Sequence, residues 1–342
     1  MNLKYLFKEY KYYKKLGGLK NIFVKFIFSK TPLKKVVNSS FYNKYYSNMI
    51  NKKSKKSNTK FLQIENTNLC NATCVMCPHV SMKRKKTTMS FEDFKKITKN
   101  VIDHEKIKVV IITGFGEPFL DKTIVDKIKW LNQNYPDIKI DIYTNVSMLT
   151  PKITDKLLEL KIHKINFSVN GTEKVYNKIM GLDYEKTKEH INYFYEQKKK
   201  LNKKFPLTNI SLMIIKDNEA EIKKFINFWN NKSDSIMVYI PSDWAGKKKI
   251  DYVSEIPFKK KRWPCPALWQ FITVDVEGNL IMCCRDYESI IKFGNLLKNN
   301  IKEIKNSNKF KDLQQKHLDF NFSTPVCSTC DNAYDSSLNW FN

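Results

Sequence analysis

The chain has 342 residues, 42% of them hydrophobic and 13% aromatic, which excludes disorder and suits roughly two domains of about 150 residues. Sixty-one Lys and Arg against 34 Asp and Glu give a net charge of +27, yet only Arg84, Arg262 and Arg285 are arginines, which argues against a nucleic-acid partner; the lysine excess fits AT-rich coding. No apolar run reaches the roughly 18–20 residues of a bilayer span, and the charged start MNLKYLFKEYKYYKKLGG lacks a signal peptide's apolar block, so a cytoplasmic chain is expected.

Residues 1–59 form a basic arm. The first 60 residues hold sixteen lysines against one acid, Glu9, for a net of +15, leaving +12 to the other 282. Aromatics interleave with the lysines in LKYLFKEYKYYKKLGGLKNIFVKFIF, which reads as an amphipathic helix. Such an arm either touches an anionic surface or packs on the main domain as a helical extension, and the second reading is favoured.

From residue 60 the pattern alternates. Apolar, β-branched runs predict strands at Lys60–Glu65, Lys108–Thr113, Ile138–Tyr143, Lys164–Val169, Asn209–Ile215 and Ser235–Ile240. Helical stretches fall between them at 91–104 (capped by Ser90), 121–133, 151–160, 184–200 and 217–231. Strand and helix in alternation predict a parallel sheet of right-handed βαβ units, and six units suit an open, partial (β/α)6 barrel over 60–246. After Gly246 a lysine-rich linker (Lys247–Lys249, Lys259–Arg262) leads to FITVDVEGNLIMCC, two short strands around Glu277–Gly278–Asn279. The tail through Trp340 has little periodicity, so 247–342 is expected to fold around its own metal site.

Eight cysteines in a cytoplasmic chain point to metal or redox chemistry. Cys70, Cys74 and Cys77 make a C-x3-C-x2-C group directly after the first strand, where parallel α/β folds build their sites. Cys265, Cys283, Cys284, Cys327 and Cys330 lie in the last quarter. Structural zinc needs four ligands, and only His79 is near the first group as a fourth. A [4Fe–4S] cluster can instead take three thiolates and leave one iron open to an exogenous ligand. Gly114-Phe115-Gly116-Glu117-Pro118 closes the second strand; its glycines let backbone approach a ligand, and Glu117 can face an ammonium group.

Together these motifs resemble the radical SAM superfamily over about residues 60–245. The resemblance implies that Cys70, Cys74 and Cys77 hold a [4Fe–4S] cluster whose fourth iron is chelated by S-adenosylmethionine. It implies contacts to that cofactor from Gly114, Gly116, Glu117 and Pro118, and from the strand-end residues Asn145, Ser168 and Asn170; the family commonly has Asp where Asn170 stands. Asn145 and Ser168 are equally readable as strand-end caps. The activity implied is reductive cleavage of S-adenosylmethionine to a 5′-deoxyadenosyl radical, which abstracts a substrate hydrogen. A flavodoxin- or ferredoxin-type donor is the implied reductant.

Cys265, Cys283 (in Gly278-x4-Cys283), Cys327 and Cys330 look like the auxiliary-cluster extension called SPASM or, when shortened, twitch. Four thiolates would fully ligate one auxiliary [4Fe–4S] cluster, though zinc also suits them. Cys284 reads as a bystander. A single auxiliary cluster is similar to that of a dehydrogenase acting on an aminocyclitol alcohol, so oxidation or epimerisation of a sugar-like small metabolite is expected. The alternatives are a peptide-modifying maturase and, from another class, a non-catalytic metal-stabilised protein binding RNA or an anionic membrane.

Overall fold

A computed structural model describes residues 40–56, 59–239, 241–247 and 262–330. The basic arm up to residue 39, part of the lysine-rich linker and the tail around Trp340 lie outside these residues. Helix α1 (Ser40–Lys56) opens the described chain. Strands β1 (Phe61–Ile64), β2 (Val109–Ile112), β3 (Lys139–Thr144), β4 (Lys164–Ser168), β5 (Leu207–Met213) and β6 (Ser235–Tyr239) then lie side by side in chain order. Each neighbouring pair is parallel, as the alternation of strand and helix predicts.

Helices α2 (Phe91–Ile102), α3 (Ile124–Asn134), α4 (Pro151–Glu159), α5 (Glu173–Met180), α6 (Tyr184–Lys200) and α7 (Ile222–Trp229) connect these strands. Ser90 caps α2 as expected, its Oγ accepting from the Asp93 N–H at 3.0 Å, an arrangement worth about 1 kcal/mol. Phe94, Ile97, Thr98 and Val101 recur at helical spacing and form the buried face of α2. Helix α3 begins later than its pattern suggests because Asp121 Oδ1 takes both the N–H and the hydroxyl of Thr123, turning the chain before the helix starts. Helix α5 is unforeseen. It is short and ends at Gly181, whose φ of +65° is left-handed.

The hairpin of β7 (Phe271–Val274) and β8 (Asn279–Ile281) turns at Gly278 (φ +83°), as expected, and β9 (Lys292–Asn295) follows. Unexpectedly, β7 pairs in parallel with β1, Phe61 opposite Phe271 through Ile64 opposite Val274. The result is one nine-stranded sheet in the order β6-β5-β4-β3-β2-β1-β7-β8-β9. Helices α8 (Ala267–Gln270), α9 (Ile301–Asn306) and α10 (Asn308–Leu318) complete the C-terminal part.

The large core lies between the sheet and its helices, with Leu62, Ile64, Val110, Ile112, Ile142, Ile165, Phe167 and Ile210 contributed by the strands. A smaller core gathers Trp263, Leu268, Trp269, Met282, Leu313 and Cys327 together with Ile50 of α1. The described end of the basic arm is thus packed on the C-terminal part. No helix among the described residues is long and apolar enough to cross a membrane.

Candidate cluster and cofactor site

Cys70, Cys74 and Cys77 occupy the loop that leaves β1, beside the C-terminal ends of the parallel strands. Main-chain bonds fix its shape. The Cys77 N–H donates to the Cys74 carbonyl at 3.0 Å, and the N–H groups of Thr73 and Val75 donate to the carbonyls of Met180 and Ile179. The loop therefore sits on the C-terminus of α5. A Cβ at Gly181 would fall 2.0 Å from Thr73 Oγ1, so this seat requires glycine. Met180 Sδ lies 3.5 Å from Cys74 Sγ.

Burial and mutual repulsion push the Cys70 and Cys74 sulfurs away from free ionisation. Cys70 is raised to about 11 by burial, with Glu117 and Cys77 adding to it; Cys74 is raised further by burial and by its two neighbouring thiols. Soft sulfur donors that disfavour lone negative charge fit an iron–sulfur cluster, whose cationic irons reverse that penalty. His79, the fourth-ligand candidate for zinc, instead places Nε2 2.9 Å from the Asn68 carbonyl, and burial lowers its proton affinity. Among the described residues no three His, Cys, Asp or Glu side chains gather as a single metal ion would need.

The Gly114–Pro118 turn is clamped to this loop. The Glu117 N–H donates to the Leu69 carbonyl at 2.7 Å, one residue before Cys70. A Cβ at Gly116 would meet Thr67 O at 2.4 Å and Leu69 O at 2.5 Å, and one at Gly114 would meet the Glu65 side chain at 2.3 Å. Both glycines are thus demanded by the close packing of turn against loop, beyond any ligand's approach. The Glu117 carboxylate, expected to face an ammonium group, is instead turned into the protein. One oxygen accepts from Thr144 Oγ1 (2.7 Å) and the Phe119 N–H (3.2 Å), the other from the Asn145 N–H (2.6 Å). Burial outweighs these three donors and raises its pKa to about 7. Pro118 opens the short 3₁₀ turn that follows.

Asn145, the residue after β3, directs its amide nitrogen to Asn71 Oδ1 at 3.1 Å, with Cys70 Sγ 3.9 Å away. Ser168 ends β4 opposite Ser211 and is partly exposed. Asn170 is buried and cross-braces the fold: Nδ2 reaches Met180 Sδ at 3.0 Å, and Oδ1 accepts from the Met213 N–H at 2.9 Å. Its amide is therefore committed to holding α5 and β5.

In the second thiol group, Cys265 precedes α8, Cys283 follows β8, and Cys327 and Cys330 form one turn in which the Cys330 N–H donates to the Cys327 carbonyl. Burial raises Cys265 and Cys327 to about 12 and Cys283 well above the usual thiol range. Cys265 feels the charges of Cys327, Cys330 and Cys284, and Cys283 those of Cys284, Cys265 and Cys330. Cys284 is exposed. His317 of α10 links the Cys265 main chain to the Cys327 thiol. Its Nδ1 accepts from the Cys265 N–H at 3.2 Å, and its Nε2 therefore carries the proton facing Cys327 Sγ, also at 3.2 Å.

The Radical SAM superfamily model matches residues 64–228, and the model of the SPASM iron–sulfur cluster-binding domain matches residues 265–331. The chain carries a radical SAM domain and a SPASM domain. A curated relative, the tungsten-containing aldehyde ferredoxin oxidoreductase cofactor-modifying protein of Pyrococcus furiosus, is 22% identical over 178 residues, 50% of this chain and 48% of that protein. The chain thus spans about half the length of that relative. A second, the S-adenosyl-L-methionine-dependent 2-deoxy-scyllo-inosamine dehydrogenase of Niallia circulans, is 23% identical over 284 residues, 80% of this chain and 92% of that protein.

Among solved structures, BtrN in complex with AdoMet and 2-DOIA superposes with a TM-score of 0.56 at 19% identity, covering 80% of this chain and 93% of its own. SuiB of Streptococcus suis bound to its precursor peptide SuiA gives 0.63 at 16% identity, over 95% of this chain and 82% of its own. These likenesses establish the shared fold. A radical SAM domain implies a [4Fe–4S] cluster and S-adenosylmethionine, and a SPASM domain implies auxiliary iron–sulfur chemistry.

Several residues of this radical SAM site escape a reading of sequence. Glu65, at the end of β1, accepts two bonds from Arg84 (2.8 and 3.0 Å) and the N–H groups of Phe115 and Val276. It thereby joins the cluster loop, the glycine turn and the SPASM hairpin; a lone acid ending FLQI is the only signal. Trp244, Ala245 and Gly246 are all left-handed, with φ of +54°, +59° and +74°. The Trp244 indole N–H donates to the Met76 carbonyl between Cys74 and Cys77, while the Ala245 carbonyl accepts from Thr329 Oγ1 between Cys327 and Cys330. This segment straps one thiol loop to the other, and strain of this kind collects at functional sites.

Proposed function

We propose that the protein is a radical SAM oxidoreductase that removes hydrogen from a sugar-like small metabolite, oxidising or epimerising it. The observation that carries this is the second thiol group: four candidate ligands, sufficient for one fully ligated auxiliary cluster and hence for an electron acceptor with no open iron. The similarity to the inosamine dehydrogenase, along 92% of that protein, supports the same reading.

Cys70, Cys74 and Cys77 would hold the first cluster, and Cys265, Cys283, Cys327 and Cys330 the auxiliary one. When bound, the first cluster and S-adenosylmethionine supply abstraction of a hydrogen atom from an unactivated carbon. The chain's own residues position and enclose that chemistry. Gly114, Gly116 and Pro118 shape the turn that would receive the cofactor's methionine end. Glu117 fixes this turn to Thr144 and Asn145, and the Asn145 amide stands over Cys70. Ser168 is free to contact the cofactor, whereas Asn170 acts through Met180. Phe115, Trp244 and Tyr287 meet edge to face, with centroids 5.5 and 6.0 Å from Phe115, and form an apolar wall that excludes water.

Anoxic protein reconstituted with iron and sulfide, given dithionite and S-adenosylmethionine, should release 5′-deoxyadenosine, and Cys74→Ala should not. A parent that forms none, or a variant that matches it, defeats the reading. A peptide substrate is the second reading, favoured by the likeness to SuiB over 95% of this chain. Deuterium transfer into 5′-deoxyadenosine from labelled sugars and cyclitols, against labelled peptides, separates the two.

A further inference from the structure

Arginine is rare in this chain, three residues against 58 lysines, and all three lie within seven residues of a cysteine in sequence. Two have fixed partners. Arg84 is bidentate to Glu65 and donates through Nε to the Tyr287 carbonyl at 2.6 Å. Arg262 donates to the carbonyls of Cys327 and Ser328 and lies over the Phe322 ring.

Arg285 differs. Its guanidinium carbon lies 5.0 Å from the centroid of Trp244, and its Nε is buried with no hydrogen-bond acceptor. It forms no ion pair with a carboxylate among the described residues. Its backbone N–H meets Cys283 Sγ at 3.4 Å, so it is anchored at the auxiliary thiols. The Trp244 ring beneath it hangs from Met76, inside the first thiol loop. Phe115 of the glycine turn packs against Trp244, and Tyr239 at the end of β6 lies within electrostatic reach of the guanidinium. A planar fork laid on an aromatic face, held between two thiol loops and without an anion among the described residues, is the arrangement that recognises carboxylate or phosphate bidentately. Lysine, abundant elsewhere, cannot present that fork, and a strained left-handed Trp244 is retained to support it.

We propose that Arg285 is the receptor for an oxyanion on the substrate, so that the metabolite processed here is a phosphate or a carboxylic acid. This rests on the small-molecule reading above and narrows it: a guanidinium at this place would repel the ammonium group of an aminocyclitol.

Labelling with phenylglyoxal tests it on the anoxic holoenzyme with S-adenosylmethionine bound. Three arginines give three peptides whose modification is followed separately by mass spectrometry. Arg285 should react fastest, since Arg84 and Arg262 are hydrogen-bonded. Inorganic phosphate or acetate should slow Arg285, by about tenfold at about ten times the dissociation constant. Slowing by phosphate alone identifies a phosphorylated substrate; slowing by acetate alone or by both identifies a site that accepts a carboxylate. An Arg285 that does not react, that neither anion protects, or that neutral myo-inositol protects equally overturns the proposal. So does protection by S-adenosylmethionine that leaves nothing further for the anions to protect. Release of 5′-deoxyadenosine by the same preparation is measured in parallel. If that release is intact while protection fails, only the anion receptor is lost; if the release fails, the enzymatic reading is lost first.

Discussion

Glu117 ties the glycine turn to the end of β3, and replacing it with Gln probes that tie through the pH dependence of stability. Burial raises the folded carboxyl from an ordinary 4.5 to about 7. Between those values the folded chain keeps a proton that the unfolded chain has released, so the parent loses stability as pH rises. At about 1.4 kcal/mol per pH unit, the loss amounts to about 3 kcal/mol, absent below about 4.5 and complete above about 7. Gln is neutral throughout and nearly isosteric. Its amide can donate to Thr144 Oγ1 and accept from the Asn145 N–H, abandoning only the 3.2 Å bond from Phe119. Urea midpoints of parent and Glu117→Gln, measured anoxically on the holoenzyme at several pH values, give the difference directly, because other titrating groups are common to both. The parent should lose about 3 kcal/mol relative to the variant between pH 4.5 and 8. A difference that is flat with pH, or that moves in the parent's favour, refutes the claim that burial outweighs the three donors.

Other expectations concern the clusters and their supports. Reconstituted parent should bind about eight irons, and Cys74→Ala and Cys265→Ala about four each, with only the latter still releasing 5′-deoxyadenosine; equal iron in all three would contradict two separate sites. Lys127 is fully buried with Asp121 at 2.6 Å, and Asn66 shares that carboxylate at the base of the cluster loop. Lys127→Met should therefore cost about 3–5 kcal/mol by stranding Asp121, and adding Asp121→Leu should recover much of it in chemical denaturation. His317 is held neutral, its pKa lowered to about 4 by burial and Arg262, so its N–H faces Cys327 at all working pH values. Replacing His317 with Leu should lower the auxiliary midpoint potential by on the order of 50 mV, the electrical equivalent of one hydrogen bond, and leave the first cluster unmoved in EPR titrations. An unchanged potential would show that the bond does not reach the thiolate.

The barrel strands were legible because parallel strands covered by helices on one face are apolar runs broken by amphipathic stretches. Both cysteine groups stand out in the sequence because candidate ligands are picked out by residue type and spacing. What sequence conceals is contact between distant segments. Nothing in IMGLD announces that α5 will seat the Cys74 loop, because that depends on Thr73 meeting Gly181. Glu65 and Arg84 look like ordinary charges until the fold brings them together around Phe115 and Val276. Glu117 reads as a ligand group in a turn, and only the arrival of Thr144 and Asn145 shows that its carboxylate is already engaged. The parallel pairing of β7 with β1 could not be read either, since FITV is equally suited to a free hairpin.

That pairing bears on how the protein can be dissected. With β7 in place, β1 is an interior strand and its backbone groups are shared on both sides. A chain cut after Gly246 would bare the whole flank of β1 as an unprotected row of donors and acceptors, an invitation to strand addition between molecules. The catalytic half is therefore expected to aggregate when produced alone, so the two halves are better studied as one piece.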